Sequence, residues 1–313
     1  MTSTGTASAT PVESGPDAGA PWHYGDPYAE QRALLAGTAA VDLSHRPVIR
    51  VAGPDRLSWL HALTSQHLTE LPPGQWTQAL ILSPHGHVEH HLALVDDGEA
   101  VLAHVEPGTA EALLAYLARM VFWSKVEVTD VTAELGVLHS LVGDAFVPRD
   151  ELAQRLAAYE RPAGLWAAEA LRVEAGQARL GFETDHRTIP AEVGWIGSAV
   201  HLDKGCYRGQ ETVARVHNLG RPPRRLVLLH LDGSDADLPQ HGDDVVGAEG
   251  RAIGFVGTAA RHYELGPIAL ALVKRTVEDG QPLTVGRDHP IAASPSSVRS
   301  PAADPSPRVD LER

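Results

Sequence analysis

The sequence contains a single cysteine among its 313 residues, together with two methionines and four phenylalanines. One thiol cannot form a disulfide within the chain, and no basic segment followed by an apolar run near the start predicts a signal peptide. The longest apolar runs, such as residues 268–273, are far shorter than the roughly 20 residues that cross a bilayer. We therefore expect a cytoplasmic protein without a disulfide or a membrane span.

Positive charge is also scarce, since 26 lysines and arginines accompany 40 aspartates and glutamates, for a formal net charge of -14. Nucleic-acid binding relies on cationic side chains that displace counterions from phosphates, so we expect no direct contact with RNA or DNA. The hydrophobic share of 43% is sufficient for a sizeable core. The length favours two or three domains, and we expect a monomer.

The two ends differ in composition from the rest of the chain. Residues 1–21 and 289–313 are rich in Ala, Ser, Pro and Gly and contain almost no large apolar side chains, most clearly from Ala292 onward. Such segments bury too little apolar surface to offset the entropy of ordering. We therefore predict that both are disordered tails.

The first half of the central region alternates between strand and helix periodicities. It predicts a strand at 47–53, a helix with Asp55 as its N-cap, three strands within 77–105, an amphipathic helix at 108–121 and a strand at 124–131. Strand, helix, strand, strand, helix, strand is the order of a ferredoxin-like unit. The sequence therefore predicts an α+β core over residues 22–223.

Short strands separated by glycines follow the Pro222-Pro223 pair, which is typical of a stiff linker. Five candidate strands lie in about sixty residues, at 225–231, 243–247, 250–259, 266–274 and 281–286. This spacing suits a small β-barrel better than another α/β layer. We therefore predict a C-terminal barrel over residues 224–288.

The only thiol lies in the segment DKGCYRGQET, residues 203–212. Lys204 and Arg208 flank Cys206 at two residues on either side, and cations at that range stabilise a thiolate. Gly205 and Gly209 give the loop conformational freedom. A buried, inert cysteine at a strand-to-helix turn is the alternative, and the local sequence leaves both interpretations open.

The eight residues KGCYRGQE, 204–211, resemble the K-G-C-[FY]-x-G-Q-E signature of the YgfZ-type folate-binding proteins. The similarity extends from about His23 to Gly286 and includes the aminomethyltransferase T-protein, a relative of that family. It is carried by segments 40–74 and 171–195. The resemblance implies a core of two ferredoxin-like halves around a central channel, closed by a barrel, with tetrahydrofolate as the ligand.

The resemblance also implies a role in making or repairing iron-sulfur clusters, especially in radical-SAM tRNA-modifying enzymes. The partners would be iron-sulfur client enzymes or assembly factors. One cysteine cannot hold a four-iron cluster, which usually needs four thiolates, so the protein would assist such enzymes without carrying a cluster. A folate-dependent one-carbon transferase or demethylase and a non-catalytic folate-binding scaffold are the alternatives.

Residue roles follow from the same resemblance. Cys206 and Lys204 are the expected catalytic residues. A carboxylate can accept the amine and the ring N–H of a pterin in a two-point contact, and guanidinium or ammonium groups suit the anionic glutamyl tail. Arg172 is expected to contact the ligand or to pair with a neighbouring carboxylate. The expected folate-binding residues are Glu192, Glu174, Arg215, Arg208, Gln210 and Tyr207, with Lys204 as a further candidate for the tail.

One segment departs from the T-protein pattern. The T-protein carries an aspartate shortly after a glycine-containing hairpin, and aligning that glycine with Gly86 places His90 and His91 at the acidic position. A neutral imidazole cannot supply the fixed negative charge that a developing iminium or ammonium centre requires. We therefore expect no aminomethyl transfer.

Four histidines within seven residues raise the question of a metal site. In a strand His87 and His91 would share a face, whereas His90 would point to the other side. A metal site needs a third ligand in register, and no helical HxxxH pattern or cysteine pair supplies one. We therefore predict no metal at these positions, His85, His87, His90 and His91.

Overall fold

A computed structural model describes residues 8–234, 237–286 and 289–298. The strands are β1 Thr10–Pro11, β2 Pro21–His23, β3 Ala39–Asp42, β4 Val48–Ala52, β5 Trp76–Leu82, β6 Val88–Asp96, β7 Ala100–His104, β8 Glu127–Asp130, β9 Leu135–Ser140, β10 Gly143–Pro148, β11 Arg161–Ala163, β12 Arg224–Leu231, β13 Asp244–Val246, β14 Ala252–His262, β15 Gly266–Lys274, β16 Leu283–Val285 and β17 Ile291–Ser297. The helices are α1 Pro27–Leu35, α2 Arg56–Leu63, α3 Ala110–Arg119, α4 Leu152–Leu156, α5 Leu165–Glu174 and α6 Gln210–Leu219, with a 3-10 helix at Pro190–Glu192.

The first half of the core is a five-stranded antiparallel sheet in the order β5-β6-β7-β4-β8. Strands β6, β7, β4 and β8 have the neighbours of a ferredoxin-like unit, and β5 adds an outer strand. Helices α2 and α3 cover one face of the sheet, where Leu60 and Leu117 pack on Ile49 and Leu92. The strands and helices predicted for this half are confirmed. Asp55 precedes α2 as expected, but its carboxylate accepts from the backbone N–H of Lys125.

The second half of the core is a four-stranded sheet in the order β10-β9-β3-β11, with α1, α4 and α5 packed around it. Leu34 of α1 and Leu165 of α5 share a buried cluster with Val41 and Val137 of the sheet. Helix α5 also packs against strands β14 and β15. It therefore joins the second half of the core to the C-terminal strands.

Six strands close into the predicted barrel in the order β12-β15-β14-β13-β16-β17. Strand β12 begins at Arg224, directly after the proline pair. The sixth strand, β17, lies inside the tail that we expected to be disordered. Its alternate side chains Ile291 and Ala293 are buried, and its backbone pairs with both β12 and β16. Barrel closure therefore orders a segment that is poor in large apolar residues.

The N-terminal segment is also ordered where it is described. Strand β1 pairs with β2, and the backbone N–H of Val12 donates to Ala20 O at 2.8 Å. Asp17 is 7% exposed, forms an ion pair with Arg179 and lies 3.0 Å from Nε2 of His45. The prediction of disorder for residues 8–21 is therefore wrong, because long-range charge pairing holds a segment of low hydrophobicity. The remaining tail residues, 1–7 and 299–313, lie outside the described residues.

Within the three described ranges, the structure contains no helix that is both long enough and apolar enough to span a membrane.

Candidate functional site

A cavity of about 540 Å³ opens between the two halves of the core. Strands β5, β6 and β7 supply one wall, through side chains that point away from α2 and α3. The facing wall comes from β9, β10 and α5, and the segment after the 3-10 helix contributes Trp195. The cavity therefore lies between the two halves of the core, where the family resemblance implies a central channel.

His91 and Trp195 form a flat aromatic surface in this cavity. Their rings are 4.7 Å apart between centroids and inclined by 22°, and His91 Nε2 is 3.0 Å from Oε1 of Gln78. Burial lowers the pKa of His91 to about 4, so the ring is neutral at physiological pH. His90 lies on the opposite face of the strand, where its ring is 6.5 Å from that of Tyr116. Of the two histidines expected at the acidic position of the T-protein pattern, His91 is thus the one that lines the cavity, and its imidazole is neutral.

A buried ion-pair network centred on Arg179 forms part of the cavity wall. The Arg179 side chain is 3% exposed and contacts the carboxylates of Asp17, Glu106 and Glu169 at 2.9, 2.6 and 3.2 Å. Burial alone would raise the pKa of Glu106, but the charges of Arg46 and Arg179 outweigh it and lower the pKa to about 2. The network therefore stays ionised at neutral pH.

Arg172 belongs to the same region and pairs with two neighbouring carboxylates. Its guanidinium donates to Glu169 at 2.8 Å and to Glu183 at 3.1 Å, and also to Oγ1 of Thr258 on β14. Of the two roles considered for Arg172, the structural pairing is the one observed. Its partners are Glu169 and Glu183, whereas Glu174 is oriented elsewhere.

Asp144 lies on the cavity wall between two histidines. Its Oδ1 is 2.6 Å from Nδ1 of His139, and its Oδ2 is 2.8 Å from Nε2 of His104. Burial would raise the pKa of Asp144, but these two hydrogen bonds hold it well below its usual range. No sequence motif indicates this group, because His104 and Asp144 are 40 residues apart. Only the pairing of β9 with β10 brings His139 and Asp144 opposite each other.

The two predicted pterin-binding glutamates differ in position. Glu174 lines the cavity with 44% of its side chain exposed, and its Oε2 is 3.3 Å from Nε2 of His262 in the barrel. Glu192 is 2% exposed, and its two oxygens accept from Arg224 at 2.9 and 2.8 Å. Its Oε2 also accepts from the backbone N–H of Ile189. Glu192 therefore joins the core to the first barrel strand, and its carboxylate does not fit the expected pterin contact.

The loop 203–209 presents Cys206 to solvent as a free thiol. Lys204 is buried, and its Nζ donates to the backbone oxygens of His61 and Thr64 at the end of α2. Burial lowers the pKa of Lys204 to about 8. Arg208 pairs with Glu89 at 3.2 Å. The structure therefore gives no support to a thiolate stabilised by Lys204 and Arg208, because other groups engage both cations.

The rest of the predicted folate-binding set also lies outside the cavity lining. Gln210 accepts from the backbone N–H of Tyr207 through Oε1 at 3.0 Å, which satisfies a donor at the start of α6. The Tyr207 ring packs on the buried cluster of the core and lies 5.1 Å from Lys204 Nζ. Arg215 is exposed on α6. Of the expected ligand contacts, Glu174 and Arg172 border the cavity in the described structure. The carboxylates of Glu169 and Glu183 engage Arg172, whereas nearly half of the Glu174 side chain is exposed.

The histidine-rich hairpin shows no metal-binding geometry. The rings of His85 and His87 are 6.2 Å apart near the hairpin turn, whereas His91 faces the cavity. Over the described ranges, no group of three His, Cys, Asp or Glu side chains is placed to hold a metal ion.

Comparisons with known proteins agree with this architecture. A family model described as the glycine cleavage T-protein C-terminal barrel domain matches residues 224–301. An aminomethyltransferase of Rubrobacter xylanophilus is 28% identical over 324 residues, covering 87% of this chain and 86% of that protein. A protein of Arabidopsis thaliana named "Putative transferase At1g60990, chloroplastic" is 24% identical over 311 residues, covering 80% of this chain and 69% of that protein.

A solved structure has the same fold over most of this chain. The crystal structure of glycine cleavage system aminomethyltransferase T from Bartonella henselae matches with a TM-score of 0.78 at 20% identity. The match covers 93% of this chain and 94% of that one. This chain therefore has the T-protein fold, and its residues 224–301 correspond to the C-terminal barrel domain of the glycine cleavage T-protein.

Proposed function

We propose that this chain binds a reduced folate in the central cavity and assists the assembly or repair of iron-sulfur clusters in client enzymes. The observation that carries the proposal is a neutral His91 in the cavity lining. The sequence alignment on Gly86 puts His91 at one of the two positions where the T-protein pattern is acidic. The solvent-exposed Cys206 in the segment KGCYRGQE supports the proposal. The fold of a folate enzyme would thus serve a role other than aminomethyl transfer.

The cavity suits tetrahydrofolate in size and in chemistry. Its volume of about 540 Å³ lies within the range of roughly 300 to 1,000 Å³ that is typical of small-molecule sites. The paired rings of His91 and Trp195 offer a flat surface for an aromatic ring of the ligand. Glu174 offers a carboxylate that can accept two N–H groups. When bound, tetrahydrofolate would supply a carrier for one-carbon groups.

Glu174→Gln is expected to weaken tetrahydrofolate binding roughly tenfold, because the amide loses the charge and one of the two acceptors of the two-point contact. Titration calorimetry of the full chain measures the affinity. Glu111→Gln, which neutralises an exposed carboxylate on α3 outside the cavity lining, is the matched control and should bind like the unmodified protein. Equal affinity for the unmodified protein, Glu174→Gln and the control variant would show that Glu174 does not contact the ligand.

The role in cluster maintenance is tested in cells that lack the protein. We expect iron-sulfur enzymes, the radical-SAM tRNA-modifying enzymes among them, to lose activity there while cluster-free enzymes keep theirs. Restoring the chain should restore the activity. If cluster enzymes are unaffected, this part of the proposal is wrong, and the calorimetry still decides whether the chain binds folate.

Aminomethyl transfer is the second candidate function, because several relatives carry that name. We expect the purified chain, given tetrahydrofolate and the aminomethylated carrier protein of glycine cleavage, to show no turnover above background. The physical reason is that neutral His91 cannot offset a developing positive charge. Formation of methylenetetrahydrofolate, followed by its absorbance or by mass spectrometry, measures the reaction. Sustained turnover would favour the transferase.

A further inference from the structure

The trio of His104, Asp144 and His139 has the geometry of an acid–base site within the cavity. Asp144 has 19% of its side chain exposed, and His104 is almost fully buried, with its ring near Trp76 and Phe146. His139 is different, since 36% of its side chain is exposed and it lines the cavity. His104 thus fixes the Asp144 carboxylate, and His139 faces the cavity.

The hydrogen bonds determine which nitrogen of His139 is available. An ionised carboxylate only accepts hydrogen bonds, so Nδ1 of His139 carries the proton that points to Asp144. Among the described residues, Nε2 of His139 has no hydrogen-bond partner. An imidazole oriented through Nδ1 by a buried carboxylate, with Nε2 directed to a cleft, is the arrangement of a general acid–base group.

A purely structural role explains His104 but not His139. His104 is buried and needs Asp144 to satisfy Nε2. The half-exposed His139 could be solvated by water without that carboxylate. Its bond of 2.6 Å to Asp144 instead holds the ring in one orientation next to the cavity.

We propose that His139 is the acid–base residue of the cavity, which exchanges a proton with an amine of the bound ligand through Nε2. Asp144 is its positioning residue, and His104 holds Asp144. That the ligand is a reduced folate rests on the proposed function. His139 is the one imidazole of the cavity with both an oriented Nδ1 and a free Nε2, among the residues that the structure describes.

The proton transfer is balanced without any further reactant. The N–H bond of a protonated ligand amine breaks, its electron pair remains on the ligand nitrogen, and an Nε2–H bond forms on His139. The positive charge of the imidazolium then lies beside the Asp144 carboxylate, which keeps its own charge. The reverse step returns the proton. Other charged or titratable side chains of the same cavity are Arg46, His91, Glu106, Glu169, Arg172, Glu174 and Arg179.

Calorimetry in two buffers of different ionisation enthalpy tests the proposal on the full chain. We expect the measured enthalpy of tetrahydrofolate binding to depend on the buffer. Contact between Nε2 of His139 and a ligand amine changes the proton affinity of both groups, so the complex takes up protons from the solvent or releases protons to it. The His139→Gln variant should still bind tetrahydrofolate, but its binding enthalpy should no longer depend on the buffer. His217→Gln, which alters an exposed histidine on α6, should keep it. Binding without buffer dependence in the unmodified protein, or unchanged dependence in His139→Gln, overturns the proposal.

An NMR measurement separates this inference from the proposed function. Long-range proton–nitrogen spectra of the unliganded chain should show His139 as the Nδ1–H tautomer at neutral pH, and Asp144→Asn should change that tautomer population. A mixed tautomer in the unmodified protein would contradict the acid–base assignment. If the chain instead fails to bind tetrahydrofolate while His139 shows the expected tautomer, the folate proposal fails and the acid–base site stands.

Discussion

Replacement of Arg179 by alanine is expected to lower the free energy of unfolding by about 3 to 5 kcal/mol, the usual cost of removing one partner from a buried ion pair. Arg179 is 3% exposed and is shared by three carboxylates. Its loss would leave them charged, mutually repulsive and without solvent. The guanidinium also lies 4.1 Å from the centre of the Phe182 ring, so packing is lost as well.

Urea denaturation followed by circular dichroism measures this change. Arg155→Ala is the matched control, since Arg155 forms an exposed pair with Glu151 one helical turn away. Pairs of that kind contribute less than about 1 kcal/mol. A loss for Arg179→Ala as small as that of Arg155→Ala would mean that the network does not stabilise the fold. Increased proteolysis of the segment around Asp17 is also expected, because Arg179 is one of the two side chains that the Asp17 carboxylate pairs with.

Local periodicity predicted the first half of the core well. The alternation of strand and helix patterns between residues 47 and 131 is set by burial on one face of each element, and every predicted element is present. Five barrel strands were predicted for the same reason. Strand β17 was not, because its sequence IAASPSS contains one large apolar residue and gains its order from pairing on both edges.

Long-range side-chain pairing could not be predicted in this way. Asp17 meets Arg179 across 162 residues of sequence, and Glu192 meets Arg224 across 32. Each pairing engages a charged group that could otherwise bind a ligand. Glu192 is therefore unavailable to a pterin, although the family resemblance implied that contact. Glu174 remains available to a ligand, because its neighbours leave nearly half of its side chain exposed.

The loop around Cys206 also makes long-range contacts that its local sequence does not predict. Lys204 and Arg208 are near the thiol in sequence, yet their charges are engaged by backbone oxygens of His61 and Thr64 and by Glu89. These two cations are therefore not free to stabilise a thiolate at Cys206. The loop instead holds Cys206 in a fixed place. Lys204 anchors the start of the loop, and Gly209 lies against the hairpin at Ser83 and Gly86.

Gly209 and Gly86 make that anchoring possible. Both have left-handed backbone angles, with φ of +82° and +80°. A Cβ at Gly209 would lie 2.6 Å from the backbone oxygen of Ser83, so a side chain there would push the loop off the hairpin. The exposed thiol is thus displayed from a loop that is fixed at both ends.

Cys206→Ser is expected to abolish the rescue of iron-sulfur enzyme activity in cells that lack the protein, while leaving tetrahydrofolate affinity and unfolding free energy unchanged. Serine matches cysteine closely in size, and at an exposed position it disturbs no packing. It lacks the nucleophilic and metal-binding capacity of sulfur. Asp203→Asn, another exposed change in the same loop, is the matched control and should rescue fully.

The measurements are client-enzyme activity in cells at equal protein levels, calorimetric affinity and urea denaturation. Full rescue by Cys206→Ser would show that the thiol is dispensable and would favour a folate-binding scaffold. Loss of rescue by both Cys206→Ser and Asp203→Asn would locate the requirement in the loop surface rather than in the sulfur. Loss by Cys206→Ser alone, with folate affinity intact, separates a step that needs the thiol from the binding that the cavity performs.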